Sequence, residues 1–209
     1  MKYRTFLFIP FLICLSCTLQ SPAIADWINL SGAENSPNIA EIHINDDHVR
    51  IELEIFIKDI VAFDRLIPDA FFKGTDINRP PLEERMRRFS NEDLQIIADK
   101  EKNLQATLKL AEPRFRKDRP SPYAGKINPY TLQIIPGPPE DKRVLYAELV
   151  YPFDGKPGSL TIIPPRDEKG FIRASIGFMT FHNRVPINDF RFLSEPSTVT
   201  LDWSDPWYS

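Results

Sequence analysis

Between Ile39 and Ile57 apolar and polar residues alternate with a period of two. Ile42 and Ile44 stand against Glu41 and His43. After Asn45-Asp46-Asp47 the alternation resumes, with Val49, Ile51, Leu53, Ile55 and Ile57 against Arg50, Glu52 and Glu54. This pattern on both sides of an Asn/Asp turn predicts a β-hairpin with one buried face. Over 58–79 the alternation is lost, and Val61, Phe63, Leu66, Ile67, Phe71 and Phe72 predict a short helix or an Ω-like connection lying over the core. Pro80-Pro81 then opens a polar helix from Leu82 to Phe89. Ser90-Asn91-Glu92-Asp93 has the form of a capping box, with Leu94, Ile97 and Ala98 at helical spacing, which predicts a second helix ending near Lys102.

From Asn103 the period returns to two. Leu104, Ala106, Leu108 and Leu110 alternate with Gln105, Thr107 and Lys109, predicting a strand, and the Pro-, Arg- and Lys-rich stretch 112–129 predicts a long surface loop. Further strands are expected at Tyr130–Ile135, Val144–Phe153, Ser159–Ile163 and Thr198–Trp203, with a hairpin formed by Phe171–His182 and Val185–Leu193. Pro136-Gly-Pro-Pro139, Asp154-Gly155, Asp167-Glu-Lys-Gly170 and Asn183-Arg184 supply the turns. Short strands at this spacing, without βαβ alternation, predict a mainly β fold. The expected form is an immunoglobulin-like antiparallel β-sandwich with a helical insertion at about 59–102.

The N-terminus adds a compartment. Lys2 and Arg4 precede an apolar run, Phe6 to Leu15, that is too short for a membrane span of roughly 20 residues. Ala23-Ile24-Ala25 then has the small-x-small form a signal peptidase accepts, so residues 1–25 read as a signal peptide cut before Asp26, and 26–209 as a single domain. Two other readings exist: a lipoprotein cysteine at Cys17, and an uncleaved anchor. Cys14 and Cys17 are the only cysteines and both precede the cut, so the processed chain has no disulfide and no thiolate chemistry. An exported domain without disulfides suits a bacterial envelope, in the periplasm or outside the cell, free or membrane-associated.

Processing removes two of the 26 Lys and Arg residues, leaving 24 against 29 acids and a net charge of −5. That balance gives no general attraction to nucleic acid. Five sets of residues are candidates for chemistry or binding. His43 and His48, facing one another across the hairpin beside Asp46 and Asp47, would form a divalent-metal site, with His182 on another hairpin as a distant further ligand. Glu52 and Glu54 share one strand face about 7 Å apart by the strand rise, a spacing open to acid–base work and equally to a solvated face. Arg85, Arg87 and Arg88 form one basic cluster. Arg114, Arg116, Lys117 and Arg119 form another, with Phe115 and Tyr123 close by. The tail places Trp203, Trp207 and Tyr208 among the last seven residues, where termini are usually polar. The chain carries no nucleophile elbow, zincin motif, phosphate loop or dinucleotide fingerprint, and no cofactor is expected.

The segments Gly177–Phe192 and Thr200–Ser209, with His48–Ile57 and Asn103–Ala111, resemble the extracytoplasmic N-terminal region of HupE/UreJ-type membrane proteins. That resemblance implies an exported β domain ahead of a membrane bundle associated in some members with nickel or cobalt uptake. No apolar stretch of spanning length follows residue 26, so transport is not carried over. The leading expectation is a non-enzymatic binding or scaffolding domain, accessory to an envelope membrane protein. Its partner surfaces are Trp203, Trp207 and Tyr208 and the basic residues Arg114, Arg116 and Arg119. A nickel- or cobalt-type metal-binding domain is the first alternative, and a secreted hydrolase acting through Glu52 and Glu54 is the second.

Overall fold

The computed structural model describes residues 30–204. The apolar run, the signal-peptidase site, Trp207 and Tyr208 lie outside the described residues. In chain order the strands are β1 (Asn38–Ile44), β2 (His48–Phe56), β3 (Gln95–Ala98), β4 (Lys102–Asn103), β5 (Thr107–Phe115) and β6 (Arg143–Pro152). They continue with β7 (Ser159–Ile163), β8 (Ile176–His182), β9 (Val185–Pro186), β10 (Arg191–Phe192) and β11 (Ser197–Thr200), and one α-helix, α1, spans Leu82–Arg88. The fold is mainly β, in two sheets. The larger runs β10-β8-β1-β2-β6-β5, with β9 also on β8, and the smaller runs β11-β7-β3-β4.

The β1–β2 hairpin forms where the alternation predicts it, with Ala40 opposite Leu53, Ile42 opposite Ile51 and Ile44 opposite Val49 on the inner face. These residues are fully buried and share one core with Leu94 and Ile96 of the β3 segment and Leu160 and Ile162 of β7. Each such aliphatic side chain contributes about 1.5–3 kcal/mol by leaving water. Tyr151 of β6 crosses this core and donates its hydroxyl to the Leu94 carbonyl at 2.8 Å. The bond satisfies the one polar atom of a buried ring and ties the two sheets together.

The antiparallel expectation fails at one pairing. β1 and β8 run parallel, from Asn38 opposite Ile176 to Ile44 opposite His182, so the large sheet is mixed. Gly177 permits the layer outside that pair. A Cβ there would lie 1.9 Å from the carbonyl oxygen of Ala33, in the 3₁₀ turn Ala33–Asn35 that crosses it.

The helical insertion ends earlier than expected. Residues 57–72 form 3₁₀ turns, Ile57–Leu66 and Asp69–Phe72, with Phe63 and Leu66 buried, in keeping with a connection lying over the core. The second helix is absent: α1 runs into a single π turn, Phe89–Asp93, and Gln95–Ala98 is strand. Ser90 is not a cap. It is buried, donates to the Met86 carbonyl at 2.8 Å and accepts from the Ala106 amide at 2.7 Å. Leu94, Ile96 and Ala98 then alternate into the core, a period of two masked by the apolar Ile97 between them.

Arg85 and Asp93 hold this connection in place. The buried Arg85 guanidinium bonds the carbonyls of Pro80, Arg65 and Ile67 and both oxygens of Asp69. The buried Asp93 carboxylate lies 2.7 Å from Arg65 and 2.6 Å from Arg173. Further differences lie after residue 103. β5 begins at Thr107 and continues to Phe115, through Pro113, which an edge strand tolerates because its outward N–H has no ladder partner. Tyr130–Ile135 is no strand but part of a loop held by a single bridge between Ile127 and Ile134.

Gly177→Ala is expected to destabilise the fold by roughly 1–3 kcal/mol or more, the cost of overpacking. Gly137→Ala, where an added Cβ meets nothing within 4 Å, is expected to be neutral. Urea midpoints of the two variants check this pair.

Candidate functional site

On the outer face of the hairpin the register puts Glu41 directly opposite Glu52, with Glu54 the next residue along β2 on the same face. Like charges so opposed are destabilising on their own. The segment leaving β5 lies back across them and supplies the counter-charges. Lys117 Nζ reaches Glu41 at 3.2 Å and Glu52 at 2.8 Å, and Arg119 spans Glu41 at 2.7 Å and Glu54 at 2.8 Å. The Lys117 amide donates to the second oxygen of Glu54, and Arg50 to the second oxygen of Glu52. Every oxygen of the three carboxylates therefore has a donor. Arg116, beside them, is buried and donates to the Ser36 carbonyl at 3.1 Å.

The electrostatics follow from this geometry. Burial pushes the Glu52 carboxyl up, but hydrogen bonds from Lys117 and Arg50 outweigh it and hold the pKa at about 2. Burial likewise raises Glu41, and the Arg119 and Lys117 contacts bring it below its ordinary value. Glu52 is thus an ionised acceptor at neutral pH, without the proton a general acid needs. The Glu52/Glu54 spacing expected from the strand is present. The solvated face is not, because a charged strap covers it.

The histidines are dispersed. His43 pairs across the hairpin with Arg50, not with His48. Its ring stacks on Phe181 at 4.7 Å, and burial together with Arg50 lowers its pKa. His48 engages Asp47 at 2.5 Å through Nδ1 and Asn45 through Nε2, so Asp47 and His48 satisfy each other at the turn, with Asp46 beside them. His182 is buried at the end of β8, edge-on to Trp203 at 4.6 Å. Among the described residues no group of three or more His, Cys, Asp or Glu side chains could hold a metal ion. The three-residue turn shifts the register so that a cation faces His43.

Of the expected partner residues, Arg116 and Arg119 are committed to internal contacts. Arg114 is exposed, bonded to Glu112 at 2.6 Å and lying over the Tyr146 ring at 3.9 Å. Trp203 packs back on the domain, donating its indole N–H to the Pro157 carbonyl at 2.7 Å beside Phe153 and His182. Replacing Trp203 would therefore disturb packing and not surface alone. Arg85, grouped by sequence with Arg87 and Arg88, is the buried hub described above.

The strand expectation for 130–135 hid an exposed apolar group. Ile127, Tyr130, Leu132 and Ile134 are 65%, 86%, 79% and 71% exposed on one projecting loop. That loop is ordered from within. The Asn128 amide donates to Gln133 O and the Leu132 amide to Asn128 O, while Asn128 Oδ1 accepts from the Tyr130 and Thr131 amides. Leu132 has φ +59, a left-handed conformation that costs a non-glycine residue about 1–2 kcal/mol. The root is fixed by the buried Ile135, by Asn35 Nδ2 donating to Pro136 O at 2.8 Å, and by Asn128 Nδ2 donating to Leu30 O at 3.0 Å. The sequence signal was present, because 127–139 contains no charged residue in a chain that is 26% charged. A separate open groove of about 670 Å³ lies between α1 and the start of β5, lined by Leu82, Met86, Ala106 and Leu108 with Arg87 and Gln105 at its rim. Among the described residues no helix is long and apolar enough to cross a membrane.

No family model matches the chain, and no curated protein and no solved structure matches it. The likeness to the HupE/UreJ-type region gains no support from these comparisons.

Two outcomes are expected at the charged strap. Arg119→Ala leaves Glu41 and Glu54 short of their cation in a buried setting and should cost about 3–5 kcal/mol in urea unfolding. Arg119→Lys should recover only part of that, since a point charge does not span two carboxylates. The folded Glu52 pKa lies below its ordinary 4.5, so ionised Glu52 contributes stability that is full above about pH 4.5 and lost as pH falls toward 2. Glu52→Gln should flatten the stability–pH curve across that window. An unchanged acid limb would count against the strap's role.

Proposed function

We propose that this chain is a non-enzymatic, extracytoplasmic binding domain that docks on a component of the cell envelope through the loop 127–134. The observation that carries the reading is the set of four large apolar side chains exposed together on a loop whose backbone is fixed. Large ordered apolar patches on soluble domains mark interaction sites. Holding Leu132 in a strained conformation to keep it outside has no packing benefit within the domain. The carboxylates and histidines that suggested catalysis or metal capture have partners inside the protein, which further favours binding over chemistry.

An immunoglobulin-like sandwich is the architectural half of the proposal, supported by two sheets closing on one core. Export is its cellular half, supported by the basic start, apolar run and Ala23-Ile24-Ala25 of the sequence. The basic cluster is a weaker docking surface than expected, since only Arg114 of its three named arginines is available.

The full chain and an Ile127→Ser/Leu132→Ser variant, both expressed with export in a bacterial host, provide the test. Wild type should remain with the washed envelope fraction. The variant, with unchanged circular dichroism, should be released at least tenfold more. Equal distribution of the two would remove the loop from the proposal.

A further inference from the structure

Resting on the docking role of this loop, we infer that its partner is the lipid bilayer interface itself, into which Ile127, Tyr130, Leu132 and Ile134 insert. The backbone makes the argument. From Asn128 to Gln133 every N–H finds an acceptor inside the loop: Asn128 to Gln133 O, Tyr130 and Thr131 to Asn128 Oδ1, Leu132 to Asn128 O, and Gln133 to Thr131 Oγ1 at 3.4 Å. Pro129 has no N–H to satisfy. A loop that satisfies its own backbone donors gives up fewer hydrogen bonds to water on entering an apolar medium, where each unpaired group costs several kcal/mol.

Shape and charge agree. Positions 129–134 are all exposed, so the apolar residues sit on a projection and not in a groove. The thirteen residues from Ile127 to Pro139 carry no charge, and Lys126 and Glu140 bound them. Protein interfaces are rimmed by charged and polar residues, whereas an inserting tip carries uncharged apolar residues with aromatics among them, as Tyr130 is here.

An uncharged tip on an acidic protein predicts binding that salt does not weaken and anionic lipid does not require. The test uses the exported, purified chain and protein-free vesicles, one set of phosphatidylcholine alone and one with phosphatidylglycerol added. Wild type should co-sediment with both, unchanged in 1 M sodium chloride, and Ile127→Ser/Leu132→Ser/Ile134→Ser should partition at least tenfold more weakly. A Leu132→Trp variant should show a blue-shifted emission on vesicles, quenched by brominated acyl chains. Absence of vesicle binding by wild type, or equal binding by the triple variant, overturns the bilayer inference. If the loop still governs envelope retention in cells, the partner is a protein and the docking role stands; if it governs neither, both fall.

Discussion

Three carboxylates on one face of a two-stranded hairpin cannot stand bare. Glu41 and Glu52 are forced opposite each other by the same register that buries Ile42, Ile51, Ala40 and Leu53 on the reverse face. A one-residue slip would separate the charges and expose the core, so the core decides and the charges must be compensated from elsewhere. The compensation is the extended segment after β5, where Lys117 and Arg119 stand two apart and so project to the same side. That requirement fixes the path of the chain over the outer face. It draws Arg116 to Ser36, sets Ser121 beside Glu34 and Asn35, and so anchors the root from which the 127–134 loop rises.

The second constraint is Gly177. A parallel strand pair in the middle of a sheet is usually covered on both faces. Here the inner cover is the small sheet and the outer cover is the turn Ala33–Asn35, admitted because position 177 lacks a Cβ. The same turn carries Asn35, whose amide holds Pro136. Hairpin, strap and turn are thus mechanically linked, and the apolar tip is presented on a rigid base.

That arrangement explains why candidate chemistry and candidate binding separate in this protein. Its ionisable groups are largely consumed by structure: Glu41, Glu52 and Glu54 under the strap, Asp93 between Arg65 and Arg173, Arg85 among carbonyls. Its apolar residues are not all consumed. A loop with satisfied amides and four exposed large side chains is the surface with an unspent interaction, and the free energy of covering it is available to a partner or a bilayer.

Strand periodicity made much of the fold legible. The hairpin over 39–57 and the strand Ser159–Ile163 alternate largely between apolar and polar neighbours, a local property of the strand, and the long strand near 144–153 shows as an apolar run between turn residues. Where local signals were ambiguous, long-range contact decided. Ser90 has the look of a cap but is recruited to the Ala106 amide sixteen residues away, and Tyr130–Ile135 has strand composition but finds no strand to pair with. The outer-face glutamates were visible as a spacing. The pairing of His43 with Arg50 depends on the register the turn sets, while the neutralisation of the glutamates by Lys117 and Arg119 and the packing of Trp203 on His182 join segments apart in sequence, whose juxtaposition only the folded chain creates. By itself the sequence determined which residues face inward along the strands that alternate, such as the two arms of the 39–57 hairpin, because alternation is set by the backbone of a single strand. The tertiary structure alone decided which charges meet and which apolar residues are left outside, because both depend on where strands separated by sixty or more residues come to lie side by side.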